Sequence, residues 1–427
     1  MAHAANDRRR VAIIGAGPAG LFAAERLATA GVAVDIYEQM PSPARKLLMA
    51  GRGGLNLTHS EPLDRFLSRY APEAGPVADA IRAFPPSALI AWAEGLGQQT
   101  FTGSSGRVFP RAMKASPLLR AWLRRLDALG VRLHVRNRLT GFDAAGRPVV
   151  AGPDGAVRTA VAADATLLAC GGASWPRLGS NGAWVAPLVA LGIPVIPLTA
   201  ANCGALVAWS SLVRERFAGT PLKRVMLHVG PQRFVGELMV TRSGLEGSPV
   251  YAAGPLLRAA LGSAAGARAK ISLDLRPDLD EAQLAERLSK PRGKQSTANW
   301  LRKAANLPPV ATALLREDTD GTTLPAEPLA LARRIKGVRL RVAGLAGLER
   351  AISSAGGVAL TALDANLMVT GRPGLFVAGE MLDWEAPTGG YLLQATFATA
   401  AKAAAGILTW LEHDGASQPA SLVGGSA

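Results

Sequence analysis

Cysteine is scarce in this chain of 427 residues, which contains only Cys170 and Cys203. No Cys-x-x-Cys pair occurs, so a redox-active disulfide of the oxidoreductase type is excluded. The five histidines are scattered at positions 3, 59, 134, 228 and 413 without a metal-ligand spacing, and we predict no metal site. The low cysteine content fits a reducing cytoplasm, which is the location we predict.

Long apolar runs are also missing. No segment approaches the ~20 apolar residues that span a bilayer, so we predict no membrane span. Aromatic residues make up only 5% of the chain, and the 32 acidic residues are outnumbered by 47 basic ones, which gives a net charge of +15. Such a charge is compatible with nucleic-acid binding. Because the basic residues are interleaved with acids along the sequence, we predict no specific nucleic-acid partner. The sequence does not indicate the oligomeric state.

Glycine, in contrast, is abundant, and a glycine-rich turn organises the beginning of the chain. The apolar run Val11–Ile14 predicts a buried strand and leads into Gly15-Ala16-Gly17-Pro18-Ala19-Gly20, a Gly-x-Gly-x-x-Gly spacing. A helical pattern follows, and a second predicted strand, Val32–Tyr37, ends at Glu38. An acid about 20 residues beyond such glycines completes the pattern of a dinucleotide-binding β-α-β unit.

Each part of this unit has a physical role in holding a diphosphate. Gly15 permits a tight turn, Gly17 lets the backbone approach the pyrophosphate, and Gly20 allows the helix to pack on the sheet. Free N–H groups and the positive dipole at the helix start stabilise negative charge. Glu38 would accept hydrogen bonds from the ribose hydroxyls of adenosine. The sequence therefore predicts an ADP-containing cofactor at this turn.

Two further glycine clusters suit ligand contact. In the first, Gly51-Arg52-Gly53-Gly54-Leu55-Asn56 follows Arg45 and Lys46, and bare backbone, cations and an amide together suit a flat polar-edged ring and a phosphate. In the second, a predicted buried strand at Ala165–Ala169 runs into Cys170-Gly171-Gly172, at the strand end where ligands bind in open α/β sheets. We interpret Cys170 as a packed core residue rather than a nucleophile.

The dinucleotide pattern resumes late in the chain. A predicted strand at Gly374–Ala378 leads into Gly379-Glu380, and Thr388-Gly389-Gly390 opens a helix predicted to extend to about Leu411. In two-part flavoproteins, such a late strand end contacts the ribityl chain of FAD, and the next helix points its positive end at the flavin. The early and late motifs together therefore predict FAD. No second Gly-x-Gly-x-x-Gly occurs, so we predict no separate nicotinamide domain.

A change of composition near Pro194–Pro197 indicates an insertion into the cofactor domain. We predict the fold class α/β, with a Rossmann-like FAD-binding domain split by an inserted β-rich and helical region. The first part of the FAD domain is predicted at residues 7–194, and the second part at residues 353–411. The inserted substrate-side region covers residues 195–352, with a β-rich piece at 195–255 and a helical piece at 256–352. A disordered tail is predicted at residues 412–427.

Five segments resemble a known family: GAGPAG at 15–20, RKLLMAGRGGLNLTH at 45–59, CGGASWPRLGSNG at 170–182, GELMVTRSGLEG at 236–247 and GLFVAGEMLDWEAPTGGYLLQ at 374–394. Over about residues 10–411, the chain resembles the NAD(P)/FAD-dependent oxidoreductases that include aminoacetone oxidase-like flavoproteins and a 3-oxo bile acid reductase. The resemblance implies backbone contact with adenine near Leu139. It also implies FAD contacts at Gly15, Ala16, Gly17, Pro18, Ala19, Gly20, Glu38, Lys46, Gly51, Gly53, Gly54, Asn56, Gly379, Glu380, Gly389, Gly390, Tyr391 and Leu392.

Two departures separate the chain from the common pattern of this family. The family's Gly-Gly-Gly-Arg-Cys-Asn is replaced by the cluster at 51–56, which has no cysteine, so a thiol beside the flavin is absent. A Gly-Asp-Gly of the family reads Gly182-Ala183-Trp184 in this chain, which removes a carboxylate. The departures indicate a distinct subfamily.

The predicted function is that of an FAD-dependent oxidoreductase that transfers a hydride between a small organic substrate and the flavin, with NAD(P)H as a transient electron donor. One alternative is an FAD-dependent amine oxidase, aminoacetone oxidase-like, that uses oxygen. Another is a flavin-binding RNA-modifying or regulatory protein. No catalytic residue is assigned, and the candidates on the substrate side are Tyr391, Arg242, His59, Glu385 and Asn56.

Overall fold

The computed structural model describes residues 9–416 apart from 73–74, 154, 156–157, 263–267, 320 and 322. Contacts divide the described residues into two units: those up to 199 together with those from 354 onward form the first, and those from 200 to 353 form the second. Each unit has a hydrophobic core of its own.

The first half of the chain contains both helices and strands. In chain order, the strands up to residue 201 are β1 (Arg10–Ile14), β2 (Ala33–Glu38), β3 (Thr58–His59), β4 (Thr100–Thr102), β5 (Arg107–Pro110), β6 (Arg132–Val135), β7 (Arg138–Phe142), β8 (Pro148–Ala151), β9 (Arg158–Ala160), β10 (Ala165–Leu168) and β11 (Val195–Ala201). The helices are α1 (Pro18–Thr29), α2 (Arg45–Ala50), α3 (Leu63–Leu67), α4 (Pro76–Ala83), α5 (Pro86–Gly95), α6 (Ala115–Ala128) and α7 (Val185–Ala190). The second unit contains β12 (Ala205–Val207), α8 (Ser211–Arg216), β13 (Thr220–Val229), β14 (Gln232–Thr241), β15 (Gly244–Glu246), α9 (Ser248–Ala252), α10 (Gly254–Leu261), β16 (Ala269–Asp274), α11 (Glu281–Leu288), α12 (Thr297–Ala305), α13 (Pro309–Leu314), α14 (Pro328–Lys336) and β17 (Val338–Leu345). The chain ends with β18 (Ser353–Val358), β19 (Leu375–Val377) and α15 (Tyr391–Ala416). Short 3-10 turns occupy Pro176–Leu178, Leu360–Ala362 and Gly379–Met381.

The main sheet of the first unit is parallel, with the strand order β19–β10–β1–β2–β6. β10 and β19 are buried at every position, as expected for a parallel sheet whose two faces are both covered. Because the strands are parallel, the turns after β1, β10 and β19 lie at one edge of the sheet. The predicted α/β class with a Rossmann-like domain is confirmed.

An aromatic cluster in the core of this unit joins α1 to α15. The rings of Phe22 and Phe397 lie 5.0 Å apart, and those of Trp92 and Trp122 lie 4.7 Å apart in an edge-on arrangement. Each such pair contributes about 0.5–1.5 kcal/mol beyond its buried area. Glu25 on α1 is buried beside the cluster and accepts hydrogen bonds from Trp92 Nε1 and Arg125 Nη1. The cluster therefore fixes α1, and with it the turn that precedes α1.

Three small sheets complete the first unit. They have the strand orders β3–β5–β4, β7–β8–β9 and β11–β18. Leu139 lies in β7 opposite Val150. Because β7 is an edge strand, the backbone groups on its other side have no strand partner within this sheet. That is the kind of backbone an adenine ring can contact.

The second unit is built on a closed six-stranded barrel with the order β12–β15–β14–β13–β16–β17. The prediction of a helical piece at 256–352 is wrong for this unit, because β16 and β17 lie in that stretch and close the barrel. Each of the two strands is short, and helices α11–α14 separate them along the sequence. β16 and β17 pair with the strands β12–β15 and complete the barrel. The predicted β-rich and helical pieces therefore share one hydrophobic core.

The last helix differs from the prediction at both ends. It begins at Tyr391 rather than Thr388, because Gly389 and Gly390 have φ of 124° and 102°, outside the helical region. It extends to Ala416, so the predicted tail at 412–427 begins too early. Residues 417–427 lie outside the described part of the chain, as do residues 7 and 8 of the predicted first domain. Among the described helices, none combines the length and apolar character required to cross a membrane.

Candidate functional site

The turn after β1 contains two glycines that packing requires and a third that faces open space. A Cβ on Gly15, whose φ is 107°, would lie 2.4 Å from Ala169 O, and one on Gly20 would lie 1.9 Å from Gly15 O. Both positions exclude a side chain. A Cβ on Gly17, in contrast, would meet nothing within 4 Å. Since the protein does not need glycine there for its own packing, the open space is suited to a ligand.

The start of α1 faces this space with hydrogen-bond donors. Gly17 is the N-cap and supplies no side-chain cap, Pro18 occupies the first turn, and that turn contains no acid. The first N–H groups of a helix have no acceptor within it, so those of Ala19 and Gly20 are available to a ligand. A diphosphate would satisfy them and would also be stabilised by the dipole of this 12-residue helix.

Glu38 closes the other side of the turn. Its Oε2 accepts a hydrogen bond of 2.8 Å from Ala16 N, and its Oε1 accepts one of 2.8 Å from Met40 N. Burial raises the pKa of the Glu38 carboxyl above its ordinary 4.5, although these two N–H groups lower it. Each carboxylate oxygen has a second lone pair, so the predicted contact with ribose hydroxyls is still geometrically possible.

Acidification is expected to weaken FAD binding through Glu38. The ionised carboxylate is the better acceptor, so affinity should fall as the pH drops through the pKa of Glu38, and this fall should begin at a higher pH than for an exposed glutamate. Glu38→Gln should bind FAD roughly tenfold more weakly at neutral pH, because a charge-assisted hydrogen bond is lost. Free flavin fluorescence measured across this pH range tests both points.

A variant that does not titrate provides the contrast in this experiment. The affinity of Glu38→Gln should be nearly flat over the range in which the affinity of the wild type declines. Parallel pH profiles for the two proteins would rule out Glu38 as the titrating group.

The second glycine cluster lies between α2 and β3 and contains an unsatisfied polar atom. Gly51 packs closely on α6, where a Cβ would lie 2.6 Å from the Cβ of Ala115, whereas a Cβ on Gly53 would meet nothing within 4 Å. Gly54 has a φ of 118°. The Oδ1 atom of Asn56 is buried and has no hydrogen-bond partner in the described structure. A buried acceptor without a donor is costly, and a donor on a bound ring would satisfy it.

The late strand end meets the early turn. Gly379 follows β19 with a φ of 79°, and a Cβ there would lie 2.9 Å from the Cβ of Ala19 in the first turn of α1. Its N–H donates a 3.0 Å hydrogen bond to Thr399 Oγ1 on α15. The two motifs, separated by about 360 residues of sequence, are therefore in contact at the carboxyl edge of the parallel sheet.

Glu380 links this strand end to α2 and β18. Lys46 Nζ lies 2.6 Å from Glu380 Oε2 and 2.5 Å from Ser174 Oγ. Ser354 N donates a 3.0 Å hydrogen bond to Glu380 Oε1. A Cβ on Gly172 would lie 1.8 Å from Ser354 Oγ, so the glycine after β10 is needed for this packing. Ser174 and Ser354 were not predicted from the sequence, because no local pattern marks them.

The start of α15 is fixed against β3. A Cβ on Gly390 would lie 2.4 Å from the carbonyl of Thr58, which leaves no room for a side chain. Thr58 Oγ1 donates a 2.8 Å hydrogen bond to Gln394 Oε1, and both residues are buried. A half-buried arginine, Arg107 on β5, reaches the same place, with Nε 3.6 Å from the Cβ position of Gly389. Its guanidinium has no hydrogen-bond or ion-pair partner among the described residues.

Tyr391 is buried and belongs to a hydrogen-bond network with Glu61 and Arg69. Its hydroxyl donates a 2.5 Å hydrogen bond to Glu61 Oε1, and Arg69 donates to both oxygens of Glu61. Burial raises the pKa of Tyr391, and the bond to Glu61 raises it further. Burial also raises the pKa of Glu61, but its bonds to Arg69 and Tyr391 outweigh this and leave the pKa lowered. The proton of Tyr391 is thus committed to Glu61, so the tyrosine is poorly suited to act as a general acid.

The other substrate-side candidates have different surroundings. The His59 ring stacks on Tyr391 at 5.5 Å, and its two nitrogens contact the Ser105 carbonyl and the Glu61 N–H, so both are used by the protein backbone. Glu385 pairs through its backbone with Ala71. Arg242 is exposed in the turn between β14 and β15 of the second unit. Of the candidates, only Asn56 has a buried side-chain atom without a hydrogen-bond partner among the residues that the structure describes.

Cys170 follows β10 at the same edge of the sheet. Desolvation raises the pKa of its thiol to about 12. Its Sγ lies 3.5 Å from the Ile14 carbonyl. A thiol with this pKa is a poor nucleophile, in agreement with the interpretation of Cys170 as a packed core residue. The described residues contain no group of three or more His, Cys, Asp or Glu side chains that could hold a metal ion.

These features fit FAD. The space above Gly17 and the donors of α1 suit its diphosphate, Glu38 lies where a ribose is expected, and the orphaned Asn56 Oδ1 offers an acceptor for a polar-edged ring. All of the predicted cofactor-binding residues lie in the first unit. That they contact FAD stays a prediction.

Three known proteins resemble this chain in sequence or in fold. A 3-dehydro-bile acid delta(4,6)-reductase of Clostridium scindens is 27% identical over 91% of this chain and 97% of its own length. A ribosomal RNA dihydrouridine synthase of Haemophilus influenzae is 25% identical over 56% of this chain and 59% of its own length. A 3-ketosteroid delta1-dehydrogenase of Sterolibacterium denitrificans has a similar fold, with a TM-score of 0.50, 14% identity, and coverage of 93% of this chain and 99% of that one.

Fold and site together define an FAD-dependent oxidoreductase with a Rossmann-like cofactor domain. The family model described as the HI0933-like protein Rossmann domain matches residues 9–406. The chain belongs to this family of HI0933-like proteins.

Proposed function

We propose that this enzyme reduces a carbon–carbon double bond conjugated to a carbonyl group in a small organic molecule, with NAD(P)H as the electron donor. The observation that carries the proposal is the contact between the glycine turn and the Gly379 strand end, which is the arrangement expected of a single FAD site. The chain also aligns with 97% of the length of a reductase. By its name, that relative reduces double bonds in a 3-oxo bile acid. The location we propose is the cytoplasm, from the low cysteine content.

The overall reaction balances simply. NAD(P)H loses a hydride and becomes NAD(P)⁺, and the double bond gains that hydride together with one proton from water. When bound, FAD supplies the two-electron chemistry. The N-terminus of α15 would place its positive dipole beside the ring. The guanidinium of Arg107, which has no partner among the residues that the structure describes, lies at the same helix start, where it would hold and polarise the carbonyl oxygen of the substrate.

Anaerobic reduction of the flavin tests the proposal. We expect NADPH or NADH to bleach the visible flavin band, and a 3-oxo compound with a conjugated double bond to restore it without oxygen. Arg107→Gln should raise the KM for such a substrate while FAD affinity is unchanged. If neither nucleotide bleaches the flavin, and an amine with oxygen yields peroxide, the enzyme is an amine oxidase and the proposal fails.

A second candidate substrate has the same chemistry. The relative from Haemophilus influenzae is described as a ribosomal RNA dihydrouridine synthase. The carbon–carbon double bond of uridine that is saturated in dihydrouridine is conjugated to a carbonyl group. The net charge of +15 favours an anionic substrate of this kind. Mass spectrometry of nucleosides from RNA incubated with enzyme and NAD(P)H would reveal a gain of two hydrogens on uridine.

A further inference from the structure

Strand register gathers basic side chains that lie far apart in the sequence. In the barrel of the second unit, Lys270 on β16 lies directly opposite Arg341 on β17, and Ser272 lies opposite Arg339. On its other side, Ser272 lies opposite His228 of β13, which in turn lies opposite Arg233 of β14. Directly paired residues point to the same face of a sheet. We call Arg233, His228, Lys270, Arg339 and Arg341 the basic face.

Alternation along the strands shows that this face points outward. The neighbours of Lys270 and of the two β17 arginines are buried in the core of the unit: Ala269, Ile271, Val338, Leu340 and Val342. Lys270, Arg339, Arg341 and Arg233 are exposed. Since successive side chains alternate between faces, the four cations share the outer surface of the barrel.

Most of this charge is not neutralised by the protein. The side chains of Lys270, Arg341 and Arg233 make no ion pair or hydrogen bond with any residue that the structure describes. Arg339 Nη2 lies 3.5 Å from Asp318 Oδ1. Like charges directly opposite each other destabilise a sheet. The pair formed by Lys270 and Arg341 therefore has a cost that an anionic partner would remove.

Few acids share the outer positions of these strands. Asp274 is buried and lies 2.8 Å from Lys336 Nζ. Glu237 is exposed, but it lies four residues along β14 from Arg233. Val235 is the large hydrophobic residue of this surface, 65% exposed, so the face offers little apolar area for a membrane or for the core of a protein interface.

We propose that the basic face docks RNA through its phosphate backbone. The row from Arg233 to Arg339 crosses four strands, so these two arginines lie about 14 Å apart at the usual strand spacing. Between them and beside them, Lys270 lies about 5 Å from Arg341 across strands, and Arg339 lies roughly 7 Å from Arg341 along β17. A polyanion with closely spaced phosphates can meet several of them at once and release its counterions. Such contacts carry no sequence information, so specificity would come from the flavin site. The inference rests on the proposed function with RNA as the substrate.

Direct binding measurements test the proposal. Anisotropy of a fluorescein-labelled, single-stranded RNA of mixed sequence is measured with the full-length FAD-loaded enzyme over a range of salt concentrations. Lys270→Glu with Arg341→Glu should weaken binding about tenfold or more and reduce the slope of log K against log salt by about 1.4, for two lost phosphate contacts. Arg120→Glu with Arg124→Glu changes the net charge equally at two exposed positions of α6 that have no partner among the described residues and should leave both values near those of the wild type.

The single variant Lys270→Glu separates docking from a structural role. It places an acid opposite Arg341, so the thermal midpoint should stay the same or rise while RNA affinity falls several-fold. An unchanged RNA affinity in a variant that is at least as stable would overturn the proposal. Equal losses in the α6 control would overturn it as well, as would binding of phosphatidylserine vesicles, but not RNA, by the wild type.

The outcome for the substrate is scored separately. Face-dependent RNA binding without dihydrouridine would remove RNA as a substrate and leave the docking face in place. If the enzyme forms dihydrouridine but its basic-face variants bind RNA like the wild type, RNA remains a substrate and the docking face is ruled out.

Discussion

Replacing Gly17 with aspartate is expected to abolish FAD binding while leaving the protein folded. The space around this residue is open, and its φ of −77° is accessible to any amino acid, so the side chain causes no clash. The new carboxylate would occupy the place of the diphosphate at the start of α1, and two negative charges a few ångström apart repel each other by several kcal/mol at a protein surface. We expect the dissociation constant of FAD to rise about 100-fold or more.

Fluorescence titration of FAD and the thermal midpoint of the apoprotein measure the two parts of this prediction. Gly95→Asp, at the end of α5, is a matched control, because a Cβ there also meets nothing within 4 Å. That variant should bind FAD like the wild type. Gly20→Ala, in contrast, should lower the thermal midpoint of the apoprotein, because its Cβ would lie 1.9 Å from Gly15 O and disturb the turn itself. Near-normal FAD affinity in Gly17→Asp would mean that the diphosphate is held elsewhere.

Replacing Gly390 with alanine is expected to damage both the fold and the site. The added Cβ would lie 2.4 Å from the carbonyl carbon and oxygen of Thr58, and the φ of 102° is strained for any residue with a side chain. Either α15 or β3 must move, and the buried hydrogen bond between Thr58 and Gln394 would be broken. We expect a loss of roughly 3 kcal/mol or more, since steric overlap and backbone strain act together.

Denaturant unfolding of the apoprotein gives this value, and FAD titration shows the accompanying loss of affinity. Gly389→Ala provides the control. That residue also has a positive φ, 124°, but its Cβ would meet only side-chain atoms of Tyr391 at 3.3 Å and Arg107 at 3.6 Å. Its effect should be clearly smaller. Equal stabilities of the two variants would show that contact with Thr58 does not fix the start of α15.

The sequence was sufficient to predict the elements that FAD needs most directly. The strand before Gly15 is observed at Arg10–Ile14 and the one before Glu38 at Ala33–Glu38, each within a residue of the prediction. These elements are local: strand length, a glycine turn and a helical pattern follow one another within thirty residues. Such patterns are readable without knowledge of tertiary contacts.

What the sequence could not predict depends on distant partners. Tyr391 and Glu61 are 330 positions apart, so no local pattern shows that the phenol proton is committed to a carboxylate. The basic face has the same origin, because Lys270 and Arg341 become neighbours only through the register of β16 and β17. The arginines are scattered along the sequence, although the barrel brings several of them together. The barrel itself was hidden because β16 and β17 are separated by helices.

The central claim is that the early glycine turn and the late Gly379-Glu380 segment hold one FAD molecule. A crystal structure of the FAD complex tests this most directly. The account predicts diphosphate oxygens within hydrogen-bond distance of the Ala19 or Gly20 N–H, and the ribityl chain beside Gly379 and Glu380. FAD bound away from either segment would contradict the account.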